Sequence, residues 1–288
     1  MTETIGFIGV GRMGSQMARN LLEESYDVVV YDIDDARVET LVEQGARRGT
    51  SVQDVADRAT VVMTSLPTSD TVADVYFGED GLLRAIDGGT ILVEMSTIEA
   101  PVVERIASEA SGNAVVDCPV IGTPSEAAAA TLTVVVGCSQ AAFERVRPIL
   151  EPLGDRIDHV EGVGTAKRIK LANNVITFGN FAIAAEMSVL IEEMGIDAQR
   201  FFDIVSSGAA SSAIADAKMP KAFDEDFQPG FTVDGARGDL QYALSMKENA
   251  DFSAPLASSV AERYTFAASA DYDEEDYSIL LKALSPQE

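Results

Sequence analysis

Short apolar runs alternate with amphipathic, helix-like stretches over the first half of the chain. The runs are rich in β-branched residues and lack the in-out alternation of a half-exposed strand, as expected for strands covered by helices on both faces. The pattern predicts an α/β fold with a Rossmann-type, doubly wound parallel sheet over residues 1–162. Its predicted strands are 5–8, 28–31, 61–66, 91–94, 115–117 and 132–136.

The second half has a different pattern. A proline-free stretch with apolar residues at helical spacing covers about residues 165–194, and Gly195 is a typical helix stop. Asn180 and Glu186 interrupt its most apolar part, which argues against a membrane span. No strand-like run follows. We therefore predict a C-terminal all-α domain at 163–288 that begins with this long interdomain helix and continues with helices at 198–206, 235–249, 255–270 and 274–283.

Composition narrows the possible partners and chemistry. A formal net charge of −26 disfavours nucleic acid and anionic membranes, because phosphate binding needs clustered Lys and Arg. Only six of the 21 basic residues are lysines, and this acidic bias suggests adaptation to high salt. The sequence shows no secretory signal, which predicts a cytoplasmic protein. With Cys118, Cys138 and a single histidine, His159, neither a metal site nor a histidine-based triad is expected.

The segment after the first predicted strand reads GxGxxG and opens a helix. Gly9 permits the tight turn, Gly11 lets the backbone approach a pyrophosphate, and Gly14 allows close packing of helix on strand. The N–H groups and dipole of the helix N-terminus favour phosphate. The spacing predicts a dinucleotide site formed by Gly9, Val10, Gly11, Arg12, Met13 and Gly14.

Asp32 closes the second strand about twenty positions later, where a carboxylate accepts the ribose hydroxyls and repels a 2′-phosphate. NAD is therefore the expected cofactor and NADP the less favoured one, although Arg37 lies close enough to weaken this preference. Two further loops follow strand ends, where α/β sheets bind ligands. They predict cofactor contacts at Leu66, Pro67, Ser96 and Thr97, with Ser96 and Thr97 alternatively serving only as a helix cap before Pro101.

The start of the long helix carries the catalytic candidates. Lys170 and Asn174 lie one turn apart on the same face. In a chain with so few lysines, a lysine on an apolar helix at the domain junction suggests proton transfer, because burial lowers its pKa toward the working range. Alternatively Lys170 is a solvated or snorkelling side chain. That alternative applies more strongly to Lys167, one turn earlier.

Together these motifs resemble the β-hydroxyacid dehydrogenase family, typified by 3-hydroxyisobutyrate dehydrogenase and related to 6-phosphogluconate dehydrogenase. The resemblance rests on the glycine fingerprint, the Ser96-Thr97 loop, Asp-Cys-Pro-Val at 117–120 and Lys-x-x-Asn-Asn at 170–174. It implies an NAD-dependent oxidoreductase that interconverts a small β-hydroxy acid and its oxo acid or semialdehyde. In that family pattern Lys170 is the general acid/base, Asn174 orients the substrate, and hydride moves to or from nicotinamide C4. The resemblance also implies an active site in the cleft between the two domains. It further implies that the subunits form homodimers or homotetramers.

Two departures from the family pattern concern the substrate. Where the family reads Val-Ser-Gly-Gly, this chain has Ile121, Gly122 and Thr123 after Val120, so the usual substrate-binding hydroxyl is missing. Backbone N–H groups at Gly122 and Thr123, or the Thr123 hydroxyl, are the alternative anion donors. Ile121 favours a substrate with a less polar end group. The family's Lys-Asp-Leu becomes Gly238-Asp239-Leu240, with Asp239 expected at the cofactor.

These departures leave two other hypotheses. An imine reductase-like enzyme is suggested by the Ile-Gly-Thr-Pro sequence at 121–124. A relative that binds NAD without catalysis is suggested by the losses at Ile121 and Gly238. Retention of Lys170 with Asn174 argues against both.

Overall fold

The computed structural model describes residues 3–86, 88–246, 250 and 252–285. It divides into two compact units, Met1–Lys170 and Leu171–Glu288. The division falls inside one helix, whereas the boundary predicted at 162 lies at a turn where Gly162 has a φ of 86°.

Nine strands of the described residues form one sheet in the first unit, in the order β3-β2-β1-β4-β5-β6-β8-β7 with β9 paired to β8. The strands are β1 (Thr4–Ile8), β2 (Asp27–Tyr31), β3 (Arg47–Arg48), β4 (Val61–Thr64), β5 (Ile91–Glu94), β6 (Ala114–Asp117), β7 (Val120–Ile121), β8 (Thr133–Gly137) and β9 (Arg156–Val160). The helices are α1 (Gly14–Glu23), α2 (Asp35–Val42), α3 (Val52–Arg58), α4 (Ser69–Phe77), α5 (Leu82–Ala85), α6 (Ala100–Glu109), α7 (Pro124–Ala128) and α8 (Gln140–Leu150).

The central strands explain the continuous apolar runs in the sequence. Phe7 faces one buried cluster and its neighbour Ile8 faces another, on the opposite side of the sheet. The same alternation occurs at Val62 and Met63 in β4. Because helices cover both faces, every position must be apolar. The predicted Rossmann-type fold is confirmed.

The predicted parallel pairing holds for β1 to β6 and does not extend to one edge of the sheet. β8 runs antiparallel to both β6 and β7, while β9 is parallel to β8. The chain reverses after β6 through the two-residue strand β7 and the short helix α7, and strands joined in this way pair antiparallel. The sheet is therefore mixed.

The second unit is helical over its described residues, as predicted, apart from an isolated bridge between Thr232 and Asp276. Its elements are the later part of α9 (Thr165–Glu193), α10 (Ala198–Val205), α11 (Ala213–Phe223), α12 (Val233–Ser245), α13 (Pro255–Ala267), a π-helical turn (Ala268–Tyr272), a 3-10 turn (Tyr277–Ile279) and α14 (Leu280–Leu284). The sequence did not predict α11. The last part of the helix predicted at 235–249 lies outside the described residues.

Aromatic side chains fill the centre of this second unit. Phe178 and Phe181 on α9 pack edge-on against Tyr277, and Tyr264 packs against Phe178. By length and composition alone α9 is apolar enough to cross a membrane. Phe178 and Phe181 are nevertheless buried in the protein core, and they make this helix a packing element of the unit.

Candidate active site

The glycine turn between β1 and α1 has the geometry that a phosphate cradle requires. Gly9 has a φ of +87°, and a Cβ there would lie 2.3 Å from the Ser65 carbonyl oxygen. A Cβ on Gly14 would lie 2.1 Å from the Gly9 oxygen. At Gly11 a Cβ would meet, within 4 Å and among the described residues, only Arg37 Nη1, at 3.6 Å, so the turn is open there. Met13, the N-cap residue of α1, makes no side-chain capping hydrogen bond, and the N–H groups of a helix N-terminus favour phosphate. The turn fits a dinucleotide pyrophosphate.

Asp32 lies directly beside this turn. Its Oδ2 accepts a hydrogen bond from Val10 N at 2.8 Å, and its Oδ1 accepts one from Asp34 N at 2.9 Å. Each carboxylate oxygen has a second lone pair, so both remain able to accept from ribose hydroxyls. Arg37, paired with Asp34 at 3.1 Å, brings a positive charge to the same loop.

The loops after β4 and β5 are joined through Ser96. Leu66 N donates to Ser96 Oγ at 2.8 Å, and Ser96 N donates to Glu94 Oε1 at 3.0 Å. Glu99 is the N-cap of α6, so the capping interpretation of Ser96 and Thr97 is wrong. The predicted contacts Leu66, Pro67, Ser96 and Thr97 thus belong to two loops that one hydroxyl ties together.

The loop after β7 does not offer Thr123 freely to a substrate. Thr123 N and Oγ1 both donate to Glu126 Oε2, each at 2.8 Å, in a capping box at the start of α7. An anion at Thr123 would have to displace that carboxylate. Gly122 has a φ of +145°, and a Cβ there would lie 2.6 Å from Leu132, so glycine is required. Ile121 is half-buried just before it.

Lys167 is fully enclosed, and the solvated or snorkelling interpretation of it is wrong. Its Nζ lies 2.9 Å from Glu94 Oε2 and 3.1 Å from Asp117 Oδ1, and all three side chains have no exposed surface. Burial alone would lower the pKa of Lys167, but the charges of Glu94 and Asp117 outweigh it and hold that pKa above its ordinary value. The lysine is therefore a cation at neutral pH.

Sequence reasoning missed Glu94 and the pairing of Asp117 with Lys167. A signal was present, because Glu94 and Asp117 each close an apolar strand. A charged residue at the end of a buried strand needs a partner. The lysine that supplies it could not be identified from spacing, since Lys167 and Lys170 lie on the same part of one helix.

Lys170 is the last residue of the first unit and is only 9% exposed. Its burial agrees with the environment that a general acid/base requires. In the second unit, Asn174 Nδ2 donates to Asp239 Oδ2 at 2.7 Å, and both side chains are buried. The sequence singled out Asn174 and Asp239 for separate roles and did not predict their contact.

Gly238 leaves open space beside Asp239. A Cβ built there would meet no described atom within 4 Å. The neighbouring Arg237 forms an ion pair with Asp234 on the same helix. Arg237 therefore does not simply take the place of the missing lysine.

Comparison with known proteins adds independent findings. A family model described as the NAD binding domain of 6-phosphogluconate dehydrogenase matches residues 4–164. A second, described as the NAD-binding domain of NADP-dependent 3-hydroxyisobutyrate dehydrogenase, matches residues 164–284. The chain is 34% identical to 2-(hydroxymethyl)glutarate dehydrogenase of Eubacterium barkeri, over 96% of this chain and 93% of that one. It is 31% identical to 3-sulfolactaldehyde reductase of Escherichia coli, over 96% and 94%.

The fold of this chain is also similar to that of solved structures. The structure of Mycobacterium tuberculosis 3-hydroxyisobutyrate dehydrogenase with L-serine superposes with a TM-score of 0.90 at 29% identity, covering 99% of this chain and 100% of that one. An imine reductase from a Pseudomonas species matches with a TM-score of 0.64 at 22% identity, over 99% and 100%, and shares the fold.

Proposed function

Since the chain belongs to the β-hydroxyacid dehydrogenase family of NAD(P)-dependent oxidoreductases, we propose that it interconverts a small β-hydroxy acid and its oxo acid or semialdehyde, with NAD as cofactor. The observation that carries this proposal is Lys170, which is buried at the start of α9 and followed one turn later by Asn174. Relatives of this chain include 2-(hydroxymethyl)glutarate dehydrogenase, 3-sulfolactaldehyde reductase and 3-hydroxyisobutyrate dehydrogenase.

We assign Lys170 the role of general acid/base. In the oxidative direction its neutral amine takes the proton of the substrate hydroxyl, and in the reductive direction its ammonium returns a proton to the carbonyl oxygen. The bound nicotinamide supplies the hydride acceptor or donor at C4. Asn174, held by Asp239 at 2.7 Å, orients the substrate oxygen through its remaining amide capacity.

The proposed preference for NAD rests on Asp32. Both of its oxygens are fixed beside the glycine turn, so a 2′-phosphate would meet a carboxylate that has no freedom to withdraw. Arg37 opposes this effect but is paired with Asp34. We expect NADH to bind about tenfold more tightly than NADPH, measured as the rise in nucleotide fluorescence on titration. Equal affinities would contradict the proposed preference for NAD.

The deciding experiment measures initial rates with a panel of β-hydroxy acids in molar KCl. Lys170→Ala should reduce kcat by about 10² to 10⁴-fold, the usual contribution of a general acid/base. The matched control is Lys282→Ala, because Lys282 is half exposed and its ion pair among the described residues is with Glu225. Turnover of cyclic imines would instead indicate the imine reductase alternative. Tight NADH binding without turnover would indicate a non-catalytic relative.

A substitution at Gly238 can test how polar the end group of the substrate is. The space there admits a side chain, so Gly238→Lys restores the family's lysine without a clash at Cβ. If this chain uses a less polar substrate than its relatives do, the variant should lower KM for carboxylate substrates severalfold. An unchanged KM would mean that the carboxylate is bound without help from this position.

We also propose that the chain forms a homo-oligomer through α9. Ile176, Ile183 and Leu190 recur every seven residues along this helix and are all exposed. An exposed apolar stripe on a chain of net charge −26 is typical of a protein interface. Light scattering should give a dimer or tetramer, and Ile183→Asp should lower its mass toward that of the monomer. A monomeric wild type would contradict the proposal.

A further inference from the structure

Two carboxylates lie side by side at the carboxyl edge of the sheet. Glu94 ends β5 and Asp117 ends β6, and the two residues are partners in the parallel register. Both side chains are completely buried. Two adjacent buried negative charges repel each other strongly, so this edge requires a cation.

Lys167 is that cation, because its ammonium nitrogen lies within 3.1 Å of an oxygen of each carboxylate. Its Nζ contacts Glu94 Oε2, Asp117 Oδ1 and the Glu94 carbonyl oxygen, the last at 2.9 Å. Among the described residues, these two carboxylate oxygens have no partner besides Lys167. The lysine therefore holds the ends of two strands at once.

The backbone of α9 is fastened to the same edge. Asp117 Oδ2 accepts hydrogen bonds from Gly164 N at 2.8 Å and from Lys167 N at 3.1 Å. Gly164 immediately precedes the helix and Lys167 lies in its first turn, where the helix dipole favours a negative charge. Side chain and backbone together fix the first turn of α9 on the ends of β5 and β6.

This attachment extends to the loops assigned to the cofactor. Glu94 Oε1 accepts from Ser96 N, and Ser96 Oγ accepts from Leu66 N. Lys170 lies one helical turn after Lys167. A shift of the first turn would thus move Lys170 relative to the loops after β4 and β5.

We propose that Lys167 is a positioning residue for Lys170, fixing the first turn of α9 on the strand ends so that the general acid/base stays in register with the cofactor loops. This inference rests on the proposed function of Lys170. Lys167 itself transfers no proton in the proposed reaction.

The test compares Lys167→Met with Lys218→Met, a matched removal of a lysine that pairs with a buried aspartate in the other unit. At a temperature where both variants are folded, kcat of Lys167→Met should fall about 100-fold, while the Kd for NADH changes less than threefold. The primary isotope effect with NADH deuterated at C4 should rise, because hydride transfer becomes rate-limiting. Lys218→Met should keep both kcat and the isotope effect of wild type.

A Lys167→Met enzyme that keeps kcat within threefold of wild type would overturn the inference, however much its melting temperature fell. If this variant does not fold, Lys167→Met/Glu94→Gln removes one of the two uncompensated charges and is subjected to the same measurements. A kcat of the double variant within threefold of wild type would overturn the inference as well.

Hydrogen exchange separates this inference from the proposed function. Amides at 162–170 should exchange about tenfold faster in Lys167→Met than in wild type, and this readout requires no turnover. If wild type is inactive but exchange increases, the catalytic role of Lys170 fails while the attachment by Lys167 stands. Unchanged exchange would show that Lys167 does not hold the helix.

Discussion

Each unit contains a lysine paired with buried carboxylate, and the two clusters are organised in opposite ways. In the first unit the lysine is the centre, because Lys167 serves both Glu94 and Asp117. In the second unit the carboxylate is the centre. Asp276 accepts two hydrogen bonds from Lys218, at 2.7 and 2.8 Å, and further ones from N–H groups of Gly230, Phe231 and Ser278.

This difference determines how much stability the protein loses when each lysine is removed. Asp276 keeps several donors when Lys218 is removed, and Lys218 itself is 19% exposed. Glu94 and Asp117 would each retain an oxygen that has no remaining partner among the described residues. An unpaired buried charge costs far more than the loss of one donor among several. A lysine paired with carboxylate can thus contribute much or little to stability, depending on how many other donors the carboxylate has.

The largest expected effect is that of Lys167→Met on stability. We expect the free energy of unfolding to fall by about 3–5 kcal/mol, since the variant leaves two buried carboxylates uncompensated. Lys218→Met should cost about 1–2 kcal/mol, the value of one charged donor. Urea unfolding followed by circular dichroism measures both. Equal losses would contradict the distinction drawn between the clusters.

A smaller effect is expected when acid removes the contribution of Asp276 to the free energy of unfolding. Burial alone would raise the pKa of Asp276, but the Lys218 ammonium and the Ser278 hydrogen bonds outweigh it and hold that pKa below its ordinary value of 3.8. Its contribution is therefore present above the unfolded pKa and is lost as pH falls toward the folded one. The stability gap between wild type and Asp276→Asn should be constant from pH 7 to about 5 and shrink below about pH 4. A gap that widens in acid would reverse the sign of the shift.

Salt should distinguish the buried cluster from the surface. Raising KCl from 0.1 to 2 M should stabilise wild type, because it screens the repulsion within a chain of net charge −26. The stability difference between wild type and Lys167→Met should change by less than about 0.5 kcal/mol, since a buried pair is screened little. A difference that disappears in salt would mean that water reaches the cluster.

The smallest effect is expected at Lys282, which pairs with Glu225 at 3.1 Å on the surface. Lys282→Ala should change the free energy of unfolding by less than about 0.5 kcal/mol, as for most exposed ion pairs. Thermal unfolding beside Lys167→Met and Lys218→Met provides the scale. A loss comparable to that of Lys218→Met would show that exposure is a poor guide to the value of these pairs.

The apolar pattern predicted the central strands because each of them is buried on both faces. It missed β9, since Arg156, Asp158 and His159 make that strand polar and only half buried. Strands of two residues, such as β3 and β7, have no pattern to detect. Helix α11 was missed because Pro220 lies inside it and a serine-rich turn precedes it.

The candidate site was predictable where backbone geometry dictates the residue. Gly9 and Gly14 could be identified because nothing larger fits. Roles that depend on which side chain reaches which partner could not. The sequence gives no sign that Glu126 engages Thr123, or that Lys167 rather than Lys170 reaches the strand ends.

Asp32 limits how the proposed preference for NAD could be changed to NADP. Replacing it with alanine would make room for a phosphate, but it would also leave Val10 N and Asp34 N without their acceptor and so loosen the turn that either cofactor uses. Asparagine removes the negative charge and keeps one acceptor oxygen, at the cost of one of those two bonds. Arg37, once released from Asp34, would supply the phosphate with a guanidinium. A change of the proposed cofactor preference would therefore begin with Asp32→Asn combined with a substitution of Asp34 that releases Arg37. Removing the Asp32 carboxylate alone would weaken the turn that binds the cofactor.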